Sequence, residues 1–177
     1  YMRLSNYKII SKKEYISLVS SKEQAIMLHQ IVSDLSNKNE FLSKIKDNIS
    51  THNEYLFDIY TVNQEMFGIF VSQTSNISKT IYVMTRCTSY AEPITISSSD
   101  IVDQVMEIVS VDTRNLHRNG HGSRNLQAMI TIAKQINIKK IWGSIWIDTP
   151  IGFDNLCRFY QKNGFEIKGK RFYMNLE

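Results

Sequence analysis

The sequence predicts one mixed α/β domain (α+β), in which β-rich runs and amphipathic helices share a single core. Three observations lead there. The chain has 177 residues, a length that suits one substantial core. Hydrophobic residues make up 42% and charged residues 21%, the balance of an ordinary globular protein. Strand-like and helix-like runs then follow one another over residues 1–177 without an internal repeat or a linker.

The elements read in order as follows. Residues 7–11 form a short first strand. Ala25, Leu28, Val32 and Leu35 recur at helical spacing, and Leu42, Ile45 and Ile49 repeat the pattern. Asn37 to Asn39 separate these into two helices and offer an N-cap for the second. Tyr55 to Val62 and Met66 to Val71 are β-rich, and Asn63-Gln64-Glu65 between them signals a hairpin. Thr80 to Thr85 is a further β-rich run. The Ser/Thr-rich stretch 88–99, with Pro93, reads as an irregular connection.

Val105 to Val111 is apolar apart from Glu107 and Ser110, the pattern of a strand buried on both faces. A glycine-containing loop follows, and Leu126, Met129, Ile130, Ala133 and Ile136 then define an amphipathic helix. Lys140 to Ile147 is a strand that carries Trp142 and Trp146 on one face, read as core. Asp154 to Lys162 is a helix stopped by Asn163-Gly164. Residues 165–167 and 172–174 close the chain as a hairpin. The predicted order is β-α-α-β-β-β-β-α-β-α-β-β.

The formal net charge is +4, but Lys and Arg are dispersed. Without a basic block, a basic helix or an aromatic stacking pattern, a nucleic-acid-binding module is the least favoured class. A modestly basic surface equally serves a ligand with several phosphates. No apolar run approaches the roughly 20 residues that span a bilayer, and no export signal is visible, so no membrane partner is expected. Cys87 and Cys157 suggest neither a disulfide framework nor a metal site, which makes a reducing, cytoplasmic setting the expectation.

The informative segment is the strand that runs into His117-Arg118-Asn119-Gly120-His121-Gly122-Ser123 and then into a helix. A helix start leaves backbone N–H groups without intrahelical partners, and the helix dipole adds roughly half a positive charge. Phosphate is the natural ligand of such a site. Gly120 and Gly122 would let the backbone approach a bulky anion, and Arg118 and Arg124 add mobile positive charge. It is neither a Walker loop nor a Rossmann fingerprint. His117 and His121 read as flanking the phosphates with side chains partly in solvent, and no further ligands complete a metal site.

The frame His117-Arg118-Asn119-Gly120-His121-Gly122 resembles motif A of the GNAT N-acetyltransferase superfamily, Gln/Arg-x-x-Gly-x-Gly/Ala. The segment Phe159-Tyr160-Gln161-Lys162-Asn163-Gly164-Phe165 resembles the later Tyr-x-x-x-Gly-Phe element. The resemblance covers roughly residues 100–177. It implies a central, mostly antiparallel twisted sheet of about six to seven strands flanked by about four helices. It divides the single domain into an acceptor-side half, 1–99, and a coenzyme-binding half, 100–177. This sequence departs from the pattern in having His117 at the first motif position. It also has Phe153 where the family often has an Asn, with Asn155 two residues away.

By that resemblance, the backbone of Val111, Asp112 and Thr113 would bind the pantetheine amides of acetyl-CoA. The stretch His117 to Arg124 would hold the pyrophosphate, and Asn155 would be a further coenzyme contact. Tyr160 would stand beside the sulfur as general acid, since a phenol with a pKa near 10 stays protonated at neutral pH. Transfer to a primary amine needs its neutral form, which costs roughly 4–5 kcal/mol at neutral pH and calls for a base. Glu107, a lone carboxylate in an apolar strand, is the first candidate and Asp148 the second. The alternative for Glu107 is a strand-edge residue that faces solvent or pairs with a lysine.

The implied reaction is acetyl transfer from acetyl-CoA to a small-molecule or peptide amine by direct attack, with no metal, and homodimeric assembly is compatible with it. Residues 2–53 and Tyr55, Tyr60, Tyr82 and Tyr90 would shape the acceptor pocket. A domain that binds acyl-CoA without turnover, or one that transfers another acyl group, is the competing reading.

Overall fold

The computed structural model describes residues 12–49, 54–73, 79–114, 119–146 and 151–176. The strand expected at 7–11, together with His117, Arg118 and Asp148, lies outside them. The chain divides into two compact units, residues 1–43 and 44–177. In the first, helix α1 (Lys12–Ile49) runs unbroken through Asn37 to Asn39, and its last turns, from Lys44, belong to the second. The expected division into two helices therefore fails. Asn is only a few tenths of a kcal/mol poorer than the best helix formers, and no Gly or Pro interrupts the run. Leu28, Val32 and Leu35 are exposed whereas Ile45 is fully buried, so the apolar periodicity marks core only toward the end of the helix.

The second unit is a mixed α+β fold on one eight-stranded sheet. Its strands are β1 (Glu54–Val62), β2 (Glu65–Gln73), β3 (Lys79–Cys87), β4 (Thr95–Val102), β5 (Val105–Asp112), β6 (Lys140–Ser144), β7 (Glu166–Lys168) and β8 (Arg171–Asn175). The sheet order is β1-β2-β3-β4-β5-β6-β8-β7. Every neighbouring pair is antiparallel except β5–β6. Helix α2 (His121–Gln135) makes the parallel crossover, and helix α3 (Phe153–Lys162) leads from β6 to the β7–β8 hairpin. The mostly antiparallel mixed class is the expected one, with eight strands and three helices among the described residues.

Local chemistry accounts for the turns. Asn63 and Gln64 both have positive φ, 49° and 68°, as a two-residue hairpin that follows strand twist requires. Gly164, at φ 90°, ends α3 in the left-handed conformation predicted for it.

Strand β4 overturns the irregular connection expected at 88–99. Its alternation is hidden because the inward positions are Thr95, Ser97 and Ser99, all fully buried. They face α2, where Asn125 accepts from Thr85 Oγ1 at 2.7 Å and donates to the Val83 carbonyl at 3.0 Å and to Ser97 Oγ at 3.4 Å. These bonds replace the apolar packing that usually announces a strand.

The core joins this sheet face to α2 and α3. Met106, Ile108, Leu126, Met129, Ile141, Phe165 and Phe172 belong to one cluster. Each fully buried side chain of this size contributes roughly 1.5–3 kcal/mol relative to exposure. Strand β5 is not buried on both faces, since Val109 is 51% exposed and Ser110 is exposed. Trp142 is half-buried. Trp146 is 72% exposed, because the strand predicted to reach Ile147 ends at Ser144.

Gly143 sits opposite Ile108 in the parallel pair. A Cβ there would run into the Phe172 ring and stand 2.7 Å from the Ile108 carbonyl oxygen. Gly143→Ala should lower stability by about 1–3 kcal/mol through overpacking. Urea denaturation checks this, and an unchanged midpoint would contradict the packing described.

Candidate functional site

The site begins where β5 and β6 separate. Their pairing runs from Val105–Lys140 to Ile108–Gly143 and stops. Strand β5 continues to Asp112 beside β4, while beyond Ser144 the chain stays with the terminal hairpin, Ile145 N–H donating to the Lys170 carbonyl at 2.8 Å. Among the described residues, the backbone groups of Val109 to Asp112 that point away from β4 therefore pair with no strand.

A bulge shapes the same stretch. The β4–β5 register shifts between Ser98 and Ser99, which pair with Ser110 and Ile108, so Val109 is the extra residue. The bulge changes side-chain parity. Met106 and Ile108 face α2, and after it Val111 and Thr113 do so. A Cβ on Gly122 would meet Thr113 Cγ2 at 3.1 Å, Val111 Cγ1 at 3.5 Å and Phe159 Cζ at 3.6 Å. Gly122 thus lets the first turn of α2 lie against the end of β5. Asp112 is exposed and accepts from the Arg114 N–H at 2.9 Å.

The N-terminus of α2 carries no side-chain cap among the described residues. Its N-cap is Gly120 at φ 79°, with no acidic residue in the first turn. Among the described residues, a Cβ on Gly120 would meet nothing within 4 Å. Most helix starts use Ser, Thr, Asp or Asn to satisfy the free N–H groups and acidic residues to oppose the dipole. This one places Arg124 near its first turn. Asn119 and Gly120 are exposed. Ser123 is half-buried, and its Oγ accepts from Asn163 Nδ2 at 3.2 Å.

His121 corrects the expectation of a solvent-facing side chain. It is 2% exposed, and its Nδ1 lies 2.6 Å from the Tyr60 hydroxyl. The imidazole packs against Phe67 at 4.6 Å between centroids, and the Arg124 guanidinium lies over the Tyr60 ring at 4.2 Å. The first residue of α2 faces the sheet, so only its backbone faces the loop. Burial lowers the His121 pKa, helped by Arg124 and opposed by Glu65. Tyr60 is therefore an anchor of α2; burial also raises its pKa. Of the other tyrosines expected at the acceptor pocket, Tyr82 is half-buried and Tyr55 and Tyr90 are exposed.

Tyr160 is buried beside this helix start. Its ring stacks on Phe172 at 3.6 Å and 11°, and meets Phe159 and Phe165 edge-on. Burial alone pushes its pKa up to about 12. Asn155 is exposed on α3 and donates to the Ile151 carbonyl at 2.9 Å, tying down the helix start. Glu107 is half-buried on the opposite sheet face, with Asp100 and Trp142 as its neighbours in register. Among the described residues it makes no ion pair, so the lysine partner is not found. The gap beyond Ile108 opens between the Tyr160 and Glu107 sides.

Sequence reasoning missed the bulge and the anchors. The bulge did leave a signal, since polar positions change parity from Glu107 to Ser110 and Asp112. Tyr60 and Asn163 are brought to α2 across 61 and 40 residues of chain, Asn125 on α2 reaches Val83 across 42, and no local pattern marks them.

No family model matches the chain, and no curated protein matches its sequence. Solved structures do resemble it. PaiA N-acetyltransferase from Thermoplasma acidophilum, in complex with coenzyme A, aligns over 55% of this chain and 61% of its own at 17% identity, TM-score 0.46. An acetyltransferase of the GNAT family from Staphylococcus aureus aligns over 55% and 68% at 18% identity, TM-score 0.46. A Bacillus subtilis acetyltransferase in complex with coenzyme A aligns over 56% and 78% at 17% identity, TM-score 0.46. The chain spans less than two thirds of the first of these.

A base whose folded pKa is depressed stabilises the fold fully above its unfolded pKa, about 6.5 for His, and loses that contribution as pH falls. Tm should therefore drop as pH goes from 7.5 to 5.5, and His121→Gln should flatten that drop. Parallel Tm–pH curves for the two proteins would count against the buried His121.

Proposed function

We propose that the chain is an N-acetyltransferase that transfers the acetyl group of acetyl-CoA to a primary amine of a small molecule or peptide, by direct attack in a ternary complex. The observation that carries this reading is the parting of β5 from β6 directly before an uncapped helix start. A coenzyme A thioester is an extended arm with two amides, ending in a pyrophosphate. Free strand backbone at Val109 to Asp112 suits the amides. The N–H groups from Gly120 to Ser123, without a side-chain cap among the described residues and with Arg124 in the same turn, suit the pyrophosphate.

In this reading the amine nitrogen attacks the thioester carbonyl. The C–N bond forms, the C–S bond breaks, and the nitrogen loses its surplus proton to a base. Glu107, half-buried on the sheet face away from α2, is the candidate base, acting directly or through water. The sulfur leaves as thiolate. An acid with a pKa near 12 does not surrender its proton to a thiolate whose conjugate acid is near 8.5. Tyr160 is therefore better suited to donate a hydrogen bond to the departing sulfur than to protonate it.

Acetyl-CoA at about 100 times its Kd should stabilise the fold by about 2.7 kcal/mol, raising Tm by several degrees; no shift at millimolar concentration would remove the reading. Tyr160→Phe removes one hydrogen bond to a charged group. It should lower kcat about ten- to a hundredfold with coenzyme affinity nearly unchanged. Thiol release with a panel of amines measures this, and an undiminished rate would dismiss the role of Tyr160.

A further inference from the structure

The sheet face that carries Glu107 holds a groove of about 550 Å³, lined by Lys140, Trp142, Lys168, Arg171 and Tyr173 among others. That size is within the roughly 300–1,000 Å³ of small-molecule sites. The register explains why these side chains converge. Glu107, Trp142 and Tyr173 stand opposite one another across β5, β6 and β8, and Arg171 pairs with Ser144 and with Lys168. Alternation along each strand puts all of them on one face, while Ile108, Ile141 and Phe172 fill the other.

The groove is cationic. Arg171 lies over the Trp142 ring at 5.3 Å and Lys140 over the Tyr173 ring at 5.9 Å. Among the described residues Arg86–Glu54 and Arg114–Glu92 form ion pairs, whereas Lys140, Lys168 and Arg171 form none with a described carboxylate. Glu166 is nearby, but its carboxylate accepts from the Tyr173 hydroxyl at 2.6 Å. Position matters as much as charge. Ser144 and Arg171 stand at the end of the β5–β6 pairing, where the gap opens. Glu107 and Arg171 lie on strands two apart, about 10 Å across the sheet, with Trp142 as the floor between them.

Resting on the acyltransferase reading, we propose that this groove holds the acceptor, and that the acceptor is a small amine carrying a carboxylate or phosphate. Its anionic group meets Lys168 and Arg171, and its amino group lies toward Glu107. A face with a carboxylate on one side and unpaired cations on the other complements such a molecule at both ends. A neutral amine would use only half of it.

Trp142 and Trp146 are the two tryptophans of the chain, so Trp146→Phe leaves Trp142 as a fluorescent reporter in the groove. On that background, 6-aminohexanoate should be titrated against hexylamine, and O-phosphoethanolamine against ethanolamine. The anionic amines should change Trp142 emission saturably, at least tenfold more tightly than their neutral analogues. Added NaCl should weaken them, and Lys168→Gln with Arg171→Gln should abolish the preference. If neither anionic amine binds more tightly than its neutral analogue, or the double variant keeps the preference, the inference fails. Acetyl-CoA stabilisation of the same protein separates the two ideas. Stabilisation without a charge preference overturns the groove alone, and probe binding without stabilisation overturns the acyltransferase reading alone.

Discussion

Much of this fold depends on one parting of strands. Strands β5 and β6 pair over four residues and separate at Ile108–Gly143, and two constraints hold them apart. On β6, Gly143 leaves room for the Phe172 ring, which approaches so closely that a methyl group would not fit. On β5, the bulge at Val109 bends the strand and reverses its side-chain parity. An ordinary parallel pair would continue to the ends of both strands and spend the backbone groups of Val109 to Asp112 on the ladder. Here those groups stay available at the centre of the sheet.

The same parting seats α2. Because parity changes at the bulge, Val111 and Thr113 turn toward the helix, and glycine at 122 lets the first turn rest closely on them. Polar anchors then hold the helix start in place. His121 meets Tyr60, Asn125 joins β3 to β4, and Ser123 takes a hydrogen bond from Asn163 at the end of α3. Buried polar groups of this kind hold one geometry because each alternative leaves a donor or acceptor without a partner. The Thr95 hydroxyl, buried next to this network on β4, has no hydrogen-bond partner among the described residues.

The two sheet faces consequently carry different chemistry. The α2 face is closed and aromatic, and its one phenol near the gap, Tyr160, is held by Phe172 with its proton tightly bound. The other face, between β5 and β7, presents Lys140, Lys168 and Arg171 around the Trp142 indole, with Glu107 in register beside it. A ligand in the gap would touch both faces, which is what a reaction between a thioester and an amine needs.

The sequence by itself determined the elements of residues 100–177 and the loop between them. An apolar run before glycines, a helical period after them, and Asn163-Gly164 at a helix end are all local, and local patterns survive in one dimension. It also determined Tyr160 and Glu107 as candidates, one by its motif and the other as the lone carboxylate of the apolar run 105–111. It did not determine the course of α1, because Asn residues permit a break without forcing one. It concealed β4, whose inward side chains are Thr and Ser. Only the tertiary structure decided that His121 turns inward, that Tyr60 and Asn163 converge on the helix from which Asn125 reaches β3 and β4, and that Trp142 floors a charged groove. Each of those depends on strand register and on groups far apart in the chain. Register is set by packing across the whole sheet, which no local window of sequence contains.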